Sequence, residues 1–122
     1  MRKGHLLLLI LLIFCCFITS ARRRIEMSQG GQMPTHTEHF LPADMPEVYL
    51  DSDEMEIIIE ADGFASYYNV YISDVPTNTL VISTQISGYG DSIDISSLES
   101  CYYLITIVSE YNNVYQGYFT IE

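Results

Sequence analysis

Six carboxylates stand within "DSDEMEIIIEADG", residues 51 to 63. Clustered carboxylates of this kind are suited to holding a divalent cation. The order Asp51-Ser52-Asp53 opens like an EF-hand loop. That loop needs an oxygen ligand at its fifth position and glycine at its sixth, where this chain has Met55 and Glu56, so the EF-hand reading fails. A different calcium site remains as an expectation, with Asp51 and Asp53 at one strand end converging on Asp91 and Asp94 from another loop. Calcium is the one cofactor these residues suggest; otherwise no cofactor is expected.

Other reactive groups are sparse. His36 and His39 flank Glu38 in "HTEH", but Pro34 and the neighbouring threonines oppose the helix that would aim both imidazoles at a metal, and a solvated tail is expected. Cys101 has no His or basic neighbour in sequence to lower its pKa, so it reads as a small, partly buried apolar residue. From Pro46 onward there is no His or Lys. Carboxylate pairs could still do acid/base work, but they need a cleft, and a domain this small has little material for one. No enzymatic activity is expected.

The ten tyrosines all lie beyond residue 48. In a strand, successive side chains point to opposite faces. If Tyr68 and Tyr103 face inward, Tyr67, Tyr71 and Tyr102 face outward and form a candidate binding face for a protein or a sugar, the sugar version being weakened by the lack of Trp. The competing reading is cross-strand packing that stabilises the sheet.

Charge narrows the partners. The five basic residues are Arg2, Lys3, Arg22, Arg23 and Arg24, whereas 13 of the 16 carboxylates follow Pro46. Such a surface repels nucleic acid and anionic lipid, and nucleic-acid binding is excluded. Moderate salt should stabilise the domain by screening carboxylate repulsion.

The elements that position these groups begin with a targeting segment. Arg2-Lys3, the apolar run Leu6 to Ile18 and the small residues Thr19-Ser20-Ala21 have the layout of a signal peptide over residues 1–21. The run is shorter than the roughly 20 residues of a membrane span. Arg22 to Arg24 support the alternative of an uncleaved anchor, the one route to a membrane. Residues 22–45, with Gly30-Gly31, Pro34 and Pro42, read as a flexible leader or tether.

Residues 46–122 read as one domain. Seven β-rich runs, at 47–50, 54–61, 66–73, 79–86, 92–96, 101–110 and 114–122, are separated by turn formers such as Asp62-Gly63, Val75-Pro76 and Asn112-Asn113. Ile57 and Ile59 oppose Glu56 and Glu60; Tyr68, Val70 and Ile72 oppose Tyr67, Asn69 and Tyr71. Seven strands with one apolar face each predict an all-β, seven-stranded antiparallel sandwich.

The run Leu98-Glu99-Ser100-Cys101-Tyr102-Tyr103-Leu104-Ile105-Thr106-Ile107, the Asn112-Asn113 turn and the ending Gly117-Tyr118-Phe119-Thr120-Ile121 resemble the closing hairpin of bacterial immunoglobulin-like and fibronectin-like domains. The resemblance implies that Tyr103 is a corner tyrosine, its hydroxyl tied to the preceding loop; Cys101 departs from it, standing where glycine is usual. Over residues 46–122 the chain is similar to a family of small exported Bacteroidetes proteins with an immunoglobulin-like sandwich and no assigned function. The hairpin also resembles the C-terminal sorting domains of the type IX secretion route.

The expected function is that of a non-catalytic binding or adhesion module in the periplasm, at the cell surface or secreted. It would meet an unidentified protein partner of the envelope or extracellular space through an edge strand, the tyrosine face or the acidic rim. The alternative is a structural or accessory envelope domain, stabilised by calcium or related to the sorting domains. A docking face made of carboxylates should weaken with salt, whereas edge-strand or tyrosine contacts should not.

Overall fold

The computed structural model describes residues 22–29 and 45–122. In chain order the strands are β1 (Arg22–Ile25), β2 (Ser28–Gln29), β3 (Glu47–Asp51), β4 (Glu56–Glu60), β5 (Tyr67–Asp74), β6 (Thr79–Ser87), β7 (Gly90–Asp94), β8 (Cys101–Ser109) and β9 (Val114–Ile121). They form a four-stranded sheet, β1-β3-β4-β7, and a five-stranded sheet, β2-β9-β8-β5-β6, with every pairing antiparallel. The fold is an immunoglobulin-like β-sandwich with nine strands where seven are expected from the sequence.

Alternate burial builds the core. Val48, Leu50, Ile57, Ile59 and Ile93 line one inner face, and Tyr68, Val70, Ile72, Ile105, Ile107, Tyr115 and Phe119 the other. Removing each large apolar side chain from water contributes roughly 1.5–3 kcal/mol, which is what holds the two layers together without a disulfide. Cys101 is a half-buried free thiol against this core.

Tyr103 occupies the corner. Its hydroxyl donates to the Glu99 carbonyl at 2.6 Å, and its ring stacks on Phe119 with centroids 5.4 Å apart. Burial raises the phenol's pKa, and Cys101, Asp74 and Glu99 add to the shift.

The two additional strands correct the expected leader. Residues 22–29 belong to the domain: β1 pairs with β3 from Arg22↔Asp51 to Ile25↔Val48, and β2 pairs with β9. The segment "RRRIEMSQ" contributes one buried side chain, Ile25, packs Met27 against the core, and otherwise joins chiefly through main-chain pairing and the reach of Arg22 toward Asp51. Edge pairing of that sort leaves almost no alternation for a sequence reading to detect. Residues 30–44 and the expected signal segment 1–21 lie outside the described residues, as do His36 and His39. Among the described residues no helix is long and apolar enough to cross a membrane.

Candidate functional site

Chain direction sorts the loops between two ends of the sandwich. Residues 52–55, 75–78 and 95–100 lie at one end; residues 61–66, 88–89 and 110–113 lie at the other.

The first end is built by carboxylates that accept from the main chain. Asp51 Oδ1 accepts the N–H groups of Asp53 and Glu54, each at 3.1 Å; Asp74 Oδ1 accepts that of Thr77 at 3.2 Å, and Asp94 Oδ1 that of Ser96 at 2.9 Å. The N–H of Ser96, and after it that residue's hydroxyl, holds the Asp94 carboxyl below its ordinary pKa. Asp51 is buried, and its Oδ2 lies 3.7 Å from Arg22 Nε. The acidic stretch therefore has a cation beside it, delivered by the segment expected to be a leader.

The expected calcium quartet is not assembled. Asp51, Glu56 and Asp94 share a row across β3, β4 and β7. Asp53 sits in the turn, and Asp91 stands opposite Ile59 while Asp94 stands opposite Glu56, so these two project to opposite faces of β7. A spacing of three residues does this in any strand, because the side-chain period is two. Among the described residues no three acidic, thiol or imidazole groups gather about one point.

Tyr67, Tyr71 and Tyr102 do share the outer face of the five-stranded sheet, together with Asn69, Ser73, Gln85, Leu104, Thr106 and Gln116, and its outward strand positions carry no charge. They fall into two groups. Tyr71 pairs across to Ser83 and Thr106. Tyr102 lies two outward positions further along β8 and stacks on Tyr118, centroids 5.3 Å apart and planes at 13°. Tyr118 was legible in principle, since a hairpin centred on Tyr111 sets Leu104 opposite Tyr118. This stacked pair, with Arg23, Arg24 and Thr120, lines an open groove of about 420 Å³ beside β1 and β9.

The second end carries residues the sequence reading missed. Phe64, Tyr89 and Tyr111, one from each of three loops, are 57%, 76% and 56% exposed. The loops that bear them are tied together by main-chain bonds: Gly63 N–H to the Gly88 carbonyl at 3.0 Å, Gly88 N–H to that of Ser66 at 2.9 Å, and Ala61 N–H to that of Tyr89 at 3.2 Å. Glu110 Oε1 accepts the Ser66 N–H at 2.6 Å, joining the third loop to the first. Phe64 and Tyr111 meet edge to face, centroids 6.1 Å apart, and the Tyr89 ring lies against Gly63. Tyr67, 37% exposed, continues this surface onto the uncharged sheet face. Turn-like sequence masks such a site, because aromatic residues within loops show no period.

No family model matches the chain. A search of the curated proteins likewise finds no match. Among solved structures it is similar to the crystal structure of a DUF3244 family protein with an immunoglobulin-like β-sandwich fold from Bacteroides vulgatus. The TM-score is 0.63 at 17% identity, over 83% of this chain and 99% of that one. The expected likeness to an immunoglobulin-like Bacteroidetes family of unknown function is met at the level of fold.

Proposed function

We propose that the protein is an exported, non-catalytic binding module that holds a protein partner through the aromatic loop end. The observation that carries this reading is the set of three exposed rings, Phe64, Tyr89 and Tyr111, on loops already locked together by hydrogen bonds. Aromatic side chains supply large contact area with few rotatable bonds, and loops fixed before binding lose little entropy on contact. Asp62 and Glu110 border the rings, so the matching surface is apolar with basic groups at its rim. The described residues contain no His or Lys, and their carboxylates at the opposite end are engaged in building turns, which supports a binding rather than a catalytic role.

The test begins with a partner captured from the native envelope fraction and identified by mass spectrometry, whose affinity is then measured against variants. Phe64→Ala and Tyr89→Ala should each weaken binding at least tenfold, about 1.4 kcal/mol or more, with thermal stability nearly unchanged. Tyr118→Ala, which removes a ring near the other end, should leave affinity unaltered. Unchanged affinity in both loop variants would refute the assignment.

A further inference from the structure

The geometry points to a second surface, for a second copy of this chain: the seam along β3 and β9 that residues 22–29 fill is an acceptor for the same segment of a neighbouring molecule, so that copies link by strand exchange. Four observations converge on it. The segment joins the sandwich only at strand edges, through four register pairs with β3 and two with β9. It inserts one side chain, Ile25, into the core. The seam is shaped for it, because a Cβ on Gly117 would meet Met27 Sδ at 2.6 Å, the Glu26 carbonyl oxygen at 2.7 Å and Ile25 Cγ2 at 2.9 Å. Finally, Arg22, Arg23 and Arg24 are the only cations among the described residues, while the body they dock on carries 13 carboxylates.

That charge division selects the occupant. Two acidic bodies repel one another, but each carries a basic strand complementary to the other's seam. A second copy's segment brings the same Ile25 insertion, the same fit at Gly117 and the same Arg22–Asp51 ion pair that the chain makes with itself. The contacts being identical, the closed form differs from the linked one in the entropy of closing the chain on itself and in the repulsion between two acidic bodies, which salt screens, and exchange of identical elements is a low-cost route to assembly. Residues 30–44 connect the segment to β3 and, fully extended, could span about 50 Å, far enough to reach an adjacent molecule. Without the segment, β3 and β9 would each show an open edge, which makes the exchanged state a way of closing edges as well as of linking copies.

Residues 22–122, which hold every described strand, can be tested with two single-cysteine chains in a Cys101→Ser background. One carries Arg24→Cys and the other Tyr49→Cys, positions that face each other in register, at a separation a disulfide can bridge. Neither chain can close the bond alone. After mixing at high concentration under mild denaturant and oxidation, the heterodimer should exceed by at least tenfold that from Arg24→Cys mixed with Thr84→Cys on the far edge strand β6. Gly117→Val in the Tyr49→Cys chain should abolish it, whereas the same change in the Arg24→Cys chain should leave or raise the yield, since its own segment is then expelled. Equal yields from both mixtures, or equal loss with Gly117→Val in either chain, would overturn the inference. The unmodified chain supplies an independent reading by light scattering. Brought to near-millimolar concentration and then diluted, it should retain a slowly dissociating dimer; a monomer throughout would refute exchange.

Discussion

The two ends of the sandwich hold their loops by similar hydrogen bonds but show different side chains to solvent. At one, Asp51, Asp74 and Asp94 turn back and accept main-chain N–H groups, so the carboxylates are spent on holding turns. At the other, Asp62, Ser87, Ser109 and Glu110 likewise accept main-chain N–H groups and main-chain bonds tie the loops to one another, while the rings of Phe64, Tyr89 and Tyr111 are exposed. The acidic end, which draws the eye in the sequence, spends carboxylates on turns, and the aromatic end, with its exposed rings, is the one proposed to bind.

Substitutions separate the two ends most sharply through stability. Asp51→Ala removes a buried acceptor of two N–H groups and the counter-charge of Arg22, and should cost about 2–3 kcal/mol in denaturant unfolding. Asp51→Asn, which keeps one acceptor oxygen, should cost less. At the aromatic end Gly63 has φ +83°, and a Cβ there would run into the Tyr89 ring. Gly63→Ala should therefore lose about 1–2 kcal/mol and displace that ring, weakening partner binding as well.

The corner at the acidic end gives a smaller effect. Tyr103→Phe deletes the bond to the Glu99 carbonyl and should cost about 1 kcal/mol. It should also change the alkaline limb. Burial raises the Tyr103 phenol in the folded state, so the stability it confers is complete below the unfolded value of about 10 and is lost as pH rises through the raised value. Tyr49, raised chiefly by its hydrogen bond to Glu47, contributes in the same direction, and Tyr103→Phe should remove only part of the alkaline loss. Asp94 acts in the opposite sense. Its lowered pKa means stability present above the ordinary value of about 3.8 and lost as pH falls through the folded one, a limb that Asp94→Asn should flatten. By contrast, Phe64→Ala and Tyr89→Ala should move stability by no more than about 0.5 kcal/mol, as expected of exposed positions. Thermal midpoints across pH would check the whole series, and a large loss in either aromatic variant would break the contrast between the ends.

Much of the architecture was legible because it depends on a local rule. The inward sets Ile57 and Ile59, Tyr68, Val70 and Ile72, and Ile93 are all buried, and Tyr103 makes the corner bond its resemblance implied. Most strand limits moved by one or two residues, and two of the larger shifts have a side-chain cause: β4 begins at Glu56 because Asp51 holds the preceding turn, and β7 ends at Asp94 because its carboxylate takes the Ser96 N–H. The expected calcium ligands failed for a reason also present in the sequence, since Asp91 and Asp94 differ by an odd number of strand positions.

The sequence by itself determined two layers, their inner faces and the uneven distribution of charge, because period-two burial and net charge are properties of short windows and of composition. Tertiary structure alone decided that "RRRIEMSQ" closes the seam, that Arg22 reaches Asp51, and that Phe64, Tyr89 and Tyr111 meet at one end. Each of those depends on contacts between residues far apart in the chain, brought together in large part by main-chain hydrogen bonds that any residue type can form, and such bonds leave no mark on the order of the side chains.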